Sequence, residues 1–144
     1  MLLDAQLLFS DAQAVTVDAA TTNYIDLGIA RNLFDGKTMA VVMTVDVSAD
    51  HTTGDETYSF QIQTDDNTSF SSATALVTQT IAFSGLTAGT RVIFPVPVGQ
   101  LVERYLRMFY DTGGTTPTIT VTAFLMPLDM VQKDKIYAKG YTIS

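Results

Sequence analysis

The chain has no cysteine and no tryptophan, and its 144 residues include one histidine, His51. Without cysteine there can be neither a disulfide nor a thiolate metal site. One imidazole cannot furnish a histidine-rich metal centre or a paired-imidazole acid/base site within a chain. Charge is scarce too: charged residues make up 16% of the sequence, where ~25% is usual. The 15 acidic and 8 basic side chains leave a net charge of −7, a balance that repels a polyanion and argues against nucleic acid as a partner. Long apolar runs are missing as well. The longest, residues 92–98, is seven residues with two prolines, far short of the ~20 that span a bilayer as a helix, so no membrane partner is expected. The opening residues carry Asp4 and Asp11 but no early Lys or Arg, unlike the positive start of a secretory leader. The expectation is a chain made and kept in the cytoplasm, or assembled there into something larger.

What is abundant is threonine, which occurs 22 times. Its β-branch favours extended backbone while its hydroxyl tolerates solvent, and the hydrophobic pattern agrees. Tyr58, Phe60 and Ile62 alternate with Ser59, Gln61 and Gln63. Met39, Val41, Met43, Val45 and Val47 share one face, as do Ile119, Val121, Ala123 and Leu125 opposite Thr118, Thr120 and Thr122. This period of two predicts strands at 14–17, 24–27, 38–47, 57–64, 73–83, 91–96, 102–110 and 117–126. The strand at 102–110 is bulky on both sides, which predicts cover on both faces. Eight short strands punctuated by Asp35-Gly36, Ser84-Gly85, Ala88-Gly89, Gly99 and Gly113-Gly114 read as an all-β, two-sheet antiparallel jelly-roll sandwich. The expected layout is a single domain over 1–144, with an N-terminal arm at 1–12, the sandwich at 13–126 and a C-terminal tail at 127–144. Leu2, Leu3, Leu7, Leu8 and Phe9 make the arm apolar. The tail carries Lys133, Lys135, Tyr137 and Tyr141. These nine residues are the candidate interface, either packed on their own sandwich or reaching a neighbouring subunit.

Chemistry-bearing motifs are sparse. His51 sits among carboxylates in a loop, without the G-x-S-x-G elbow of a serine hydrolase. Asp46, Asp50, Asp55 and Glu56 form one acidic cluster and Asp65-Asp66 another, but neither has the spacing of a calcium loop. Glu103 is flanked by Arg104 and Arg107, which suggests an ion pair or sheet-edge role rather than glycoside hydrolysis. The turn Thr112-Gly113-Gly114-Thr115 lacks the lysine and following helix of a phosphate loop. No catalytic residue, metal or cofactor is implied, and the chain reads as non-enzymatic. The rival to a purely structural role is a carbohydrate- or receptor-binding sandwich that uses Tyr24, Tyr58, Tyr105 or Tyr110, although tyrosines in strands are more often packing groups.

Five stretches carry a resemblance. They are MLLDAQLLFSDAQAVT at 1–16, Asn23 to Gly28, Gln61 to Asp65 running into Phe70 to Ala73, Arg104 to Arg107, and the threonine-rich 118–125. In combination and order they resemble the capsid cement (decoration) proteins of tailed bacteriophages, most of all the jelly-roll cement proteins of Bordetella short-tailed phages. The resemblance implies a homo-oligomer, dimer or trimer, on the outer face of an icosahedral capsid. It would bridge neighbouring copies of the major capsid protein and stabilise the shell without an active site.

Overall fold

In the computed structural model, residues 5–29, 38–96 and 102–129 are described. A 3-10 turn at Ala5–Leu7 leads into β1 (Leu8–Val15), followed by β2 (Ala19–Ala20), β3 (Ile25–Asp26), β4 (Met39–Val47) and β5 (Thr57–Asp65). Then come β6 (Thr74–Thr80), β7 (Arg91–Pro95), β8 (Tyr105–Gly113) and β9 (Ile119–Pro127). Two antiparallel sheets result, one ordered β1-β9-β4-β7 and the other β2-β8-β5-β6, with β3 also on β8. Both β2 and β3 pair with β8, Ala20 opposite Phe109 and Ile25 opposite Leu106, so they are halves of one broken strand. The break falls where Asn23 donates its N–H to the Phe9 carbonyl of β1 in the other sheet, at 2.9 Å. With those halves counted once, the strand orders are 1-8-3-6 and 2-7-4-5. That is the two-Greek-key arrangement of an eight-strand jelly roll.

Alternation explains the core. Val41, Met43 and Val45 of β4, Tyr58, Phe60 and Ile62 of β5, Leu106, Met108 and Tyr110 of β8, and Ile119, Val121, Ala123 and Leu125 of β9 face one another between the sheets. A second cluster, Val42, Phe124 and Met126 with Leu8 and Ile93 against it, lies on the opposite side of the first sheet. At the sheet margin β7 ends in Pro95, which removes a donor from an exposed edge.

Several expectations need correction. β1 begins at Leu8, so residues 8–12 belong to the sandwich rather than to an arm. Irregular register between Leu8, Ser10 and Gln13 against β9, with Ala12 at φ 47, interrupts the alternation that would have marked the strand. Phe9 is wholly buried in the core, so it packs inside the chain instead of offering a contact between subunits. Val47 does not share the inward face. A register shift between Val45 and Val47 turns it out to 58% exposure. The strand expected at 73–83 stops at Thr80, and Phe83 sits in a 3-10 turn, Phe83–Gly85.

Candidate functional site

One pole of the sandwich gathers the loop carboxylates. Glu56 is buried and accepts hydrogen bonds from the Thr53 N–H (3.0 Å), the Gly54 N–H (3.0 Å) and the Thr53 hydroxyl. Asp55 accepts from the Thr115 N–H (3.0 Å) and hydroxyl (2.9 Å), which ties the 50–56 loop to the turn before β9. Burial alone would raise the Glu56 pKa, but the donors from Thr53 and Gly54 outweigh it and hold the carboxyl below its ordinary value. Asp55 is also lowered, chiefly by the Thr115 N–H. The His51 ring stacks on Phe83, centroids 3.9 Å apart, and its Nδ1 lies 3.4 Å from Oε2 of Glu56. His51 thus meets a phenyl ring and a carboxylate already occupied by main-chain donors. That environment holds a loop in place.

At the other pole Asp65 plays the same part. Its buried carboxylate accepts from the Asp66 N–H (2.6 Å), the Ser72 N–H (2.8 Å), the Ser72 hydroxyl (3.0 Å) and Asn67 Nδ2 (3.0 Å). Burial works to raise its pKa, and these donors more than reverse the effect. The carboxylate closes the 66–73 loop upon itself. Among the described residues no three of His, Asp and Glu group in a way that could hold a metal ion. Glu103 precedes β8 and its N–H donates to Thr64 Oγ1 at 2.8 Å. The flanking arginines pair elsewhere: Arg104 grips Asp26 with two bonds of 2.9 and 3.0 Å, and Arg107 Nε donates to Gln63 Oε1 at 2.9 Å.

The tyrosines separate by burial. Tyr58 and Tyr110 are core residues; the Tyr110 hydroxyl shares a 2.7 Å hydrogen bond with Ser10, and burial pushes its pKa far up. Tyr105 is half-buried, and Tyr24 is 47% exposed with its ring at an angle to Phe70 and Tyr105. Tyr24 borders a shallow groove of about 560 Å³ lined also by Leu7, Leu8, Asn23 and Asp26. Leu7 and Leu8 from the expected interface are therefore half-buried groove residues. Leu2, Leu3, Lys133, Lys135, Tyr137 and Tyr141 lie outside the described residues.

The feature that sequence reasoning misjudged is the second side of β8. Tyr105, Arg107 and Phe109 face away from the core, and their exposure is intermediate. The Arg107 guanidinium stands 4.1 Å over the Phe70 ring and 5.7 Å from that of Phe109. The bulk on both sides of this strand marks one buried face and one aromatic, cationic outer face. Its signal in the sequence was the row Tyr105, Arg107, Phe109, Asp111.

Comparison with known families matches residues 9–125 to Bbp16, a Bordetella phage protein family. The matched stretch runs from β1 into β9 and takes in every strand between. The chain belongs to the Bbp16 family. No match is found among curated proteins. Among solved structures it is similar to one described as the structure of infectious bursal disease virus Gx strain, at 15% identity and a TM-score of 0.36. That similarity covers 82% of this chain, which spans about 30% of the length of the viral chain.

Proposed function

We propose that this Bbp16-family protein is a structural component of the virion. In this reading it binds the outer face of an icosahedral phage capsid as a homo-oligomer and stabilises the shell by bridging neighbouring major capsid protein subunits. Membership of a phage protein family over the whole sandwich carries the reading. The physical character of the molecule supports it. Its charged clusters are spent on fastening loops, as Glu56, Asp55 and Asp65 show, while the outward face of β8 presents the aromatic rings of Tyr105 and Phe109 with Arg107 between them, groups suited to contact. Repetition over many equivalent sites lets modest individual interfaces add up to firm attachment. The net charge of −7 suits a position outside a DNA-filled shell, and the segments at 1–7 and 130–144 are the proposed capsid contacts.

The test is co-sedimentation of purified protein with shells that lack it, followed by heating or osmotic shock of the shells. Saturable binding with a higher rupture temperature is the expected result. Failure to bind intact shells would sink the reading.

A further inference from the structure

We propose that β6 is a docking edge, onto which an extended segment of the major capsid protein adds as a further strand of the β2-β8-β5-β6 sheet. The inference rests on the capsid reading above and names a surface for it. Among the described residues four edges close the two sheets: β1, β7, the broken pair β2 and β3, and β6. Breaks, bulges, charges and proline are the usual means of keeping a foreign strand off an edge. Three of the four edges use them. β1 has irregular register and the exposed Asp11, β7 is five residues long with Arg91 and Pro95 exposed, and β2 and β3 are two residues each. β6 is the exception. Thr74–Thr80 reads TALVTQT, without a charge or a proline. Its register shift, between Ala75 and Val77, leaves Val77 to Thr80 regular against Ile62 to Ser59.

The direction of the free groups follows from one bond. Ile81 donates its N–H to the Tyr58 carbonyl at 3.0 Å, and in an antiparallel ladder the hydrogen-bonded positions recur at every second residue. Gln79 and Val77, opposite Phe60 and Ile62, therefore turn their N–H and C=O groups toward β5. Thr78 and Thr80 turn theirs away from the sheet. β6 is the last strand in its order and both threonines are exposed, so these donors and acceptors form a template for one more strand. The side chains suit the same guest. Val77 and Ile81 pack half-buried on the rim of the core, as does Val92 of β7 in the facing sheet. Apolar residues at alternate positions of an added strand would cover them. On the outer side the neighbours of Thr80 and Thr78 are the uncharged Ser59 and Gln61.

The size of the edge selects the occupant. Strand rise makes β6 about 24 Å long, so one added strand buries only a few hundred Å², short of the ~1,000 Å² that holds a specific pair together by itself. Two free copies joined along β6 would therefore separate. A strand of a shell subunit, met again at every equivalent position, gains from repetition what each single contact lacks.

Amide hydrogen exchange and co-sedimentation of the full chain, with shells that lack it, test the proposal. In the free protein the Thr78 and Thr80 amides should exchange fast while those of Val77, Gln79 and Ile81 are protected. On shells the two threonine amides should slow by at least about tenfold. Thr78→Pro removes only an outward donor, so its urea midpoint should stay near wild type, whereas Gln79→Pro deletes a bond to β5 and should lower it. Thr78→Pro should bind shells at least about tenfold more weakly, with its sedimentation mass in solution unchanged. Should Thr78→Pro fail to fold, the exchange of the wild type decides. Shell-bound wild type whose Thr78 and Thr80 amides stay fast, or a folded Thr78→Pro that binds like wild type, would overturn the docking edge and leave the capsid reading standing. Protection of both amides in the free protein, or a lower oligomeric mass in Thr78→Pro, would assign the edge to another copy and overturn the proposal as well. A wild type that ignores shells defeats the capsid reading, and the docking edge with it.

Discussion

Ser10 and Tyr110 show how few polar atoms the core tolerates and how each is matched. Both residues are fully buried, and their hydroxyls meet at 2.7 Å across the gap between the sheets. Tyr110→Phe would leave the Ser10 hydroxyl without its partner and should cost about 1–3 kcal/mol in urea unfolding, with Ser10→Ala/Tyr110→Phe recovering part of it. The loop carboxylates govern the response to acid. Asp65, Glu56 and Asp55 hold protons less readily in the folded chain than unfolded, because their donors outweigh burial at the first two and the Thr115 N–H leads at the third. Between the folded and unfolded pKa values the unfolded chain binds more protons, so stability rises with pH there. The contribution is complete above the unfolded values near pH 4 and is lost as pH falls through the lower folded ones. The urea midpoint should accordingly drop between about pH 5 and pH 3, and Asp65→Asn should flatten that drop. A midpoint as steep in Asp65→Asn as in wild type would remove Asp65 from the account.

At the scale of elements, the turn before β9 and the 50–56 loop lock together. Gly114 has φ +86, and a Cβ there would fall 2.3 Å from the Asp55 carbonyl oxygen. Gly89 has a similar φ of +89 but open space around it. Gly89→Ala should therefore cost about 1 kcal/mol for conformation alone, and Gly114→Ala at least twice that, because backbone must move. Thermal denaturation of the two variants side by side checks the difference. Bulges act at this scale as well. The one at the end of β4 turns Val47 outward, against the pattern that strict alternation would give, and those in β1 bury Ser10 and expose Asp11 between the inward Phe9 and Val15.

For the whole molecule, the two sheets depend on one shared core. Phe60 packs against Phe94 of the opposing sheet at 5.9 Å and against Tyr110 at the same distance. Phe60→Ala should destabilise by about 3–5 kcal/mol, with a cooperative loss of signal from both sheets in urea. Deletion of residues 131–144 belongs to the same scale but to function: shell binding should weaken while the urea midpoint of the sandwich stays within error. Unchanged binding would remove the tail from the contact.

The sequence by itself determined the class of the molecule. Alternation along β4, β5, β8 and β9 depends only on side chains pointing to opposite faces of a strand, so strands and core could be read without coordinates. The lack of cysteine and the single histidine restricted the chemistry on composition alone. Tertiary structure decided what depends on register and on distant partners. It joined residues 8–12 to the sandwich across the irregular register of β1, split one jelly-roll strand into β2 and β3 where the chain reaches across to β1, and spent Asp55, Glu56 and Asp65 on loop donors. It also decided which side of β8 is buried. Two bulky faces on a strand look alike in sequence, and only the sheet packed against Leu106, Met108 and Tyr110 left Tyr105, Arg107 and Phe109 facing outward.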